Sequence, residues 1–257
     1  LAALVDDERV ADGRAMLAEW APVLARVEVE YGVDAATVVA VWGVESNYGR
    51  NFGSRPLLTS LSTLSCFGRR QSFFRGEFFT TLKIIQDGHV APERLTGSWA
   101  GAFGHTQFMP STFMRLAVDF DGDGQVNLQR SPVDAIGSVA HYLAEHGWRT
   151  GQPTFFDVTP PEDAAARAKL LAPDIVPSFS ADEMRALGAI LPDAAMQHPG
   201  PLALVLLENG EAAPTLIAGT QNFYAITRYN QSSYYALAVI ELGQAVSQAP
   251  ASSSGNP

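Results

Sequence analysis

A helix that carries a carboxylate on its apolar face constrains this chain more than any other feature. Residues 38–49 read "VVAVWGVESNYG". Asp34 is a good N-cap and Gly49 a good C-terminal stop, which predicts a helix between them. Val38, Val41 and Trp42 precede Glu45 by seven, four and three positions and therefore share its face. A charged side chain on a core-facing stripe is costly unless it is paired, neutral or employed. Two effects favour a proton on Glu45: desolvation by the apolar face, and a helix C-terminus whose dipole disfavours negative charge. A carboxylic acid that is neutral near pH 7 is what a general acid needs to protonate a leaving oxygen. A glutamate that reaches solvent, or pairs with Arg50, fits the same spacing.

Two further constellations carry chemistry. Residues 97–113, "GSWAGAFGHTQFMPSTF", place Gly97, Gly101 and Gly104 where backbone can approach a ligand closely. Gln107 offers an amide, and Trp99, Phe103 and Phe108 offer flat apolar surface, a mixture that suits a sugar. A glycine-rich connector followed by a helix after Pro110 fits equally. Residues 119–128, "DFDGDGQVNL", set Asp119, Asp121 and Asp123 at positions 1, 3 and 5 of an EF-hand-like loop, with Gly124 at the sharp turn and the Gln125 carbonyl next. Three alternating aspartates repel one another unless a cation sits among them, which points to calcium in a structural role. Position 12 is Arg130, which cannot ligate, so Asp134 at the start of the next helix is the candidate that closes a lengthened loop. Tyr224, Tyr229, Asn230, Tyr234 and Tyr235 line a saccharide cleft or edge a helical core, and Arg69 and Arg70 bind a carboxylate or are simply solvated.

The organisation is mostly helical. Residues 6–31 read as helix with a break at Pro22, residues 72–88 and 131–148 as two more, and residues 232–246 as a fourth. Between them, residues 201–219 read as two strands joined at Asn209-Gly210. A net charge of −10 and a pI near 4.9 exclude nucleic acid as a partner. No run is long enough to span a membrane, and no signal peptide is visible. A start at Leu1 reads as a trimmed form whose missing end would carry a signal or a lipid anchor. The single cysteine, Cys66, rules out an intrachain disulfide and reads as a buried small hydrophobe. His141 and His146 have the wrong spacing for a helical zinc pair, and no Walker, Rossmann or zinc-protease motif occurs.

Five stretches, "VWGVESNYG", "FGRRQSFFRGEF", "GSWAGAFGHTQFMPSTF", "DFDGDGQVNLQRSPVDAIGSVAHYL" and "FYAITRYNQSSYYALAVIEL", resemble the lytic murein transglycosylase B family, in its order, from about residue 30 to residue 245. The resemblance implies a mainly α fold (α+β): a lysozyme-like helical core, a flanking helical domain and a small inserted β domain. The implied boundaries are 1–150 for the helical domain and catalytic core with its calcium loop, 151–219 for the β-containing insertion, 220–247 for the return to the core and 248–257 for a disordered tail.

It also implies cleavage of the MurNAc-β-1,4-GlcNAc bond of peptidoglycan without water, leaving 1,6-anhydro-MurNAc ends. Glu45 matches the family's single glutamate, acid first and base second. Ser46 follows it in the same motif as a substrate-binding position. Ser98, Gln107, Tyr142, Tyr229, Asn230 and Tyr235 match cleft positions, and Arg69 and Arg70 a pair facing the peptide or muramic acid side. Asp119, Asp121, Asp123, Gln125 and, less closely, Asp134 match the Ca2+ loop. No organic cofactor is implied. The implied setting is a periplasmic monomer, anchored to a membrane through a missing N-terminal segment, acting on glycan strands alongside cell-wall synthases. Two alternatives stay open: a lysozyme-type hydrolase, which needs a second carboxylate such as Glu77, and a calcium-stabilised peptidoglycan-binding module without catalysis.

Overall fold

The first helix is started by Asp6, whose carboxylate accepts the Arg9 N–H at 2.8 Å. This helix, α1 (Asp7–Glu19), ends at Trp20, and Pro22 sits in the first turn of α2 (Ala21–Tyr31), where a missing N–H is harmless. The computed structural model describes residues 4–209 and 212–248. Asp34 caps α3 (Ala35–Ser46) by accepting the Thr37 N–H at 2.9 Å. The expected single apolar face is too narrow a description of α3. Seven of its twelve residues are buried, among them Val39, Ala40 and Gly43, which lie off the Glu45 face. A helix apolar all round is one enclosed by its neighbours. Here α1 and α2 pack against it, and a Cβ added at Gly243 would lie 3.4 Å from the Ala36 carbonyl and 3.6 Å from the Ala40 Cβ.

A short antiparallel pair, β1 (Arg55–Pro56) with a later β2 (Thr96–Gly97), brackets a helical hairpin of α4 (Leu57–Cys66) and α5 (Gln71–Gln86). Cys66 is exposed at the end of α4, which corrects the buried reading: Ser65 takes the inward place in the last turn, and Cys66 faces out as the chain leaves for the exposed Phe67. The glycine-rich stretch leads into α6 (Pro110–Leu116), and the acidic loop leads into α7 (Pro132–Glu145), which Gly147 closes at φ 88°.

The chain divides into two compact units, parting at 142/143 and 240/241. Residues 220–240, expected to return to the core, count with the inserted unit. That unit holds β3 (Phe155–Asp157), α8 (Ala164–Leu171), α9 (Ala181–Ala186), α10 (Asp193–Met196), β4 (Ala203–Asn209), β5 (Ala212–Gly219) and α11 (Gln221–Tyr229). The helix α12 (Ser233–Ser247) begins in it. Its sheet is antiparallel in the order β3-β5-β4, with Val205 opposite Ile217. Leu170, Met184, Leu202 and Leu204 pack under it as a core of its own. Asn209 pairs with Ala212 as a hairpin requires, while Gly210 of the expected turn lies outside the described residues, as does the expected tail beyond Gln248.

Candidate active site

α3 ends one residue after Glu45, which is half-buried in its last turn. Asn47, Tyr48 and Gly49 then follow at φ 49°, 57° and 84°, three left-handed residues in succession. Gly49 is therefore not the first residue past the helix. The chain already turns at Asn47, whose N–H still bonds to the Gly43 carbonyl at 3.0 Å. Left-handed backbone is costly for a residue with a Cβ and persists only where the surroundings enforce it. Tyr48 supplies the enforcement. Its hydroxyl donates to the Arg9 carbonyl at 2.8 Å, and burial holds the phenol protonated, well above its ordinary value. A Cβ at Gly13 or Gly43 would lie within 2.7 Å of that hydroxyl.

Ser46 does not face outward. It is 1% exposed, and its hydroxyl donates to the His105 carbonyl at 2.7 Å while accepting the Gly49 N–H at 3.1 Å. Its expected contact with substrate gives way to a joint inside the protein. His105, which the sequence reading passed over, is the other half of that joint. Its Nδ1 accepts the Trp42 indole N–H at 2.9 Å, so Nε2 carries the proton of the neutral ring. Burial pushes the imidazole down to about 4. The backbone N–H of His105 donates to the Leu128 carbonyl at 2.7 Å, the Phe52 ring meets the imidazole edge-on at 4.8 Å, and a Cβ on Gly49 would come within 2.1 Å of that ring. A lone polar ring inside "AFGHTQF" was the only available signal.

The glycines of this stretch serve the protein and not a ligand. A Cβ at Gly97 would meet the Ala102 carbonyl at 2.2 Å, at Gly101 the Leu61 side chain at 2.4 Å, and at Gly104 the Leu128 carbonyl at 2.5 Å. Phe103 and Phe108 are core residues, leaving Trp99, 71% exposed, as the only aromatic of the three that faces solvent. Ser98 fastens the same turn by accepting the Ala102 N–H at 3.1 Å. Gln107 is left-handed at φ 50°, and its amide nitrogen donates to Gly104 at 2.9 Å and to Phe52 at 3.2 Å. The segment after Glu45 and the segment of His105 and Gln107 are thereby laced together. Tyr142 is buried against Phe108, with ring centres 5.6 Å apart.

Glu77, the second carboxylate a hydrolase would need, is 2% exposed, with one oxygen accepting the Ser111 N–H (2.8 Å) and the other its hydroxyl (2.5 Å). It caps α6. Arg69 and Arg70 are exposed at the start of α5, Arg70 lying 4.1 Å from the centre of the Phe73 ring. Tyr229, Asn230 and Tyr235 lie in the other unit, where the two tyrosine rings stack at 6.3 Å and Asn230, exposed, ends α11.

The acidic loop gathers Asp119, Asp121 and Asp134, each offering a carboxylate oxygen within 4.8 Å of the others. Asp123 falls outside this group, and one of its oxygens accepts the Gln125 N–H at 2.8 Å. Burial works against the charge of Asp119, but N–H bonds from Gly124, Gly122 and Asp123 outweigh it and hold the group below its ordinary value. Burial pushes Asp134 the other way, above the usual carboxylate range, despite N–H bonds from Asn127 and Phe120.

The chain matches the family described as "Transglycosylase SLT domain" over residues 1–244. It is 38% identical over 250 residues to the membrane-bound lytic murein transglycosylase B of Escherichia coli (strain K12), covering 95% of this chain and 66% of that protein. Among solved structures, SltB3 of Pseudomonas aeruginosa in complex with NAG-anhNAM-pentapeptide is 39% identical with a TM-score of 0.82, covering 95% of this chain and 65% of that one. The Escherichia coli lytic transglycosylase Slt35 in complex with calcium is 37% identical with a TM-score of 0.81, covering 95% and 76%. The mostly helical fold with small sheets is that of these structures. By sequence over nearly its whole length and by fold, the chain belongs to the transglycosylase SLT domain family.

Proposed function

We propose that this chain is a peptidoglycan lytic transglycosylase in which Glu45 is the only catalytic carboxylate. The observation that carries the reading is the contrast in exposure between two glutamates, Glu77 being 2% exposed and Glu45 half-buried. Glu77 spends both oxygens on Ser111. Glu45 stands half-buried in the last turn of α3, and the chain just after it, at Ser46, Tyr48 and Phe52, is braced by bonds to His105, Arg9 and Gln107. Hydrolysis by either retaining or inverting geometry needs a second carboxylate across the bond. Transfer to the sugar's own hydroxyl does not.

The steps balance with one group. The Glu45 carboxyl donates its proton to the glycosidic oxygen as the bond from muramic C1 breaks, and the substrate's N-acetyl group stabilises the positive centre. The resulting carboxylate then takes the proton of the C6 hydroxyl as its oxygen closes on C1. Holding that hydroxyl beside C1 replaces a bimolecular step with a unimolecular one. Gln107, Ser98, Tyr142, Tyr229, Asn230 and Tyr235 are proposed to hold the sugars, and Arg69 and Arg70 the peptide or muramic acid side.

Calcium fits the acidic loop. Asp119, Asp121 and Asp134 converge, a hard cation takes six to eight oxygens, and it would offset the cost of burying Asp134. Asp123 and the Gln125 carbonyl are proposed to complete the set. The ion would fix the loop, whose Phe120 carbonyl accepts from Arg26 at 2.9 Å. The proposed location is the periplasm; among the described residues no helix is long and apolar enough to cross a membrane.

The test is digestion of sacculi in water enriched in the heavy oxygen isotope. The expected product carries an anhydro end without label, lighter by one water than a hydrolysed end. Glu45→Gln should lower its formation by about two to four orders of magnitude. Label at the new muramic terminus would mean that water attacked, and the hydrolase reading would replace this one.

A further inference from the structure

A cavity of about 350 Å³ opens beside the proposed active site, walled by Phe52, His89, Arg94, Gln125, Gln129 and Arg130 among others. Phe52 joins the two places, since its ring packs on His105 and its carbonyl accepts from Gln107. Among the described residues no carboxylate lines the cavity, although the chain carries a net charge of −10. Neither Arg94 nor Arg130 makes an ion pair among the described residues, whereas Arg50, Lys83 and Arg185 each do. The walls are tied together in advance. The Gln129 amide donates to the carbonyls of Arg94 and Thr96 at 3.3 and 3.2 Å. Asn127 accepts the N–H groups of Gln129 and Arg130 at 3.2 and 3.1 Å.

Two arginines that line a polar hollow and have no ion-pair partner among the described residues suit a planar anion. In a murein strand the sugars are uncharged once each lactyl group is joined to its peptide, and the carboxylates belong to the peptide stems. We infer that this pocket is a subsite for a carboxylate of the peptide stem, separate from Arg69 and Arg70. The inference rests on the peptidoglycan reading above, and its test does not need catalysis.

Free stem pentapeptide is titrated into the whole chain and followed by calorimetry, for the natural sequence and for the double variant Arg94→Gln, Arg130→Gln. The natural chain should bind the peptide, more weakly as salt rises. The variant should bind it about tenfold more weakly at an unchanged melting temperature. On glycan strands that keep their stems, kcat/KM of the variant should fall by a similar factor, and on strands stripped by an amidase it should not change. Equal peptide affinity in both proteins, or equal losses on both kinds of strand, would overturn the subsite. So would binding of inorganic phosphate with no binding of peptide, which would mark a site for free anions. Arginine-dependent peptide binding in a protein that cleaves neither strand would leave the subsite standing and count against the catalytic reading alone.

Discussion

His105 grips α3 on both sides of the acid, through Trp42 three residues before Glu45 and Ser46 directly after it. Both bonds use the neutral ring in one tautomer and the backbone beside it. The unfolded imidazole titrates near 6.5 and the folded one near 4. Between those values the unfolded chain binds the extra proton, so stability rises with pH through this window and is lost on acidification. The full effect is on the order of 3 kcal/mol. Melting curves between pH 4 and pH 7 should show that loss for the natural chain, and His105→Asn, which keeps an acceptor for Trp42, should lack it. His105→Leu should also lack it and be less stable at pH 7 by about 1–3 kcal/mol, because a buried indole N–H loses its partner. A natural chain whose stability follows that of His105→Asn across the window would show that the ring is not buried and neutral. Glu45 is legible in sequence because a carboxylate behind valines and a tryptophan violates a simple expectation. His105 is not, since a polar ring that satisfies itself inside the fold breaks no rule of spacing.

Among the elements, α3, α5, α7 and α12 are legible because each joins a long apolar period to a cap or a glycine stop. The short helices of residues 143–240 are harder: α8, α9 and α10 span eight, six and four residues, too few to establish a period. Their signals are local, such as the reciprocal bonds of Ser180 and Glu183 that start α9. The acidic loop is legible as chemistry, but its closure is not. Asp134 stands four positions beyond the usual twelfth place, and only the fold brings its carboxylate to Asp119 and Asp121. Calcium that binds the folded state alone should stabilise it by about 2.7 kcal/mol at a hundred times its dissociation constant. Differential scanning calorimetry with calcium and with chelator should show a rise of roughly 5 °C. Asp121→Ala should remove most of it, and identical curves for the natural chain in both conditions would dismiss the metal.

Across the whole molecule, one unit is assembled from two distant stretches, residues 4–142 and 241–248. The second stretch is short but structural: Leu242 and Val246 are buried, and the Ala245 carbonyl accepts from Arg14 at 2.9 Å. A chain ending at Ile240 should lose about 3–6 kcal/mol in chemical denaturation from those two side chains. A loss below about 1 kcal/mol would show that the unit closes without them. The same discontinuity orders events during synthesis. The ribosome delivers Val38, Trp42 and the walls around them early, but the last piece of that core emerges only after residues 143–240 have been made. At about 5–20 residues per second, this wait lasts several seconds. Throughout it the groove at Gly13 and Ala36 that later receives Val246 and Gly243 stands open to water. The inserted unit has a core of its own and can fold in the meantime, so the unit that bears the acid is completed last although its acid-bearing helix is translated before any of residues 143–240.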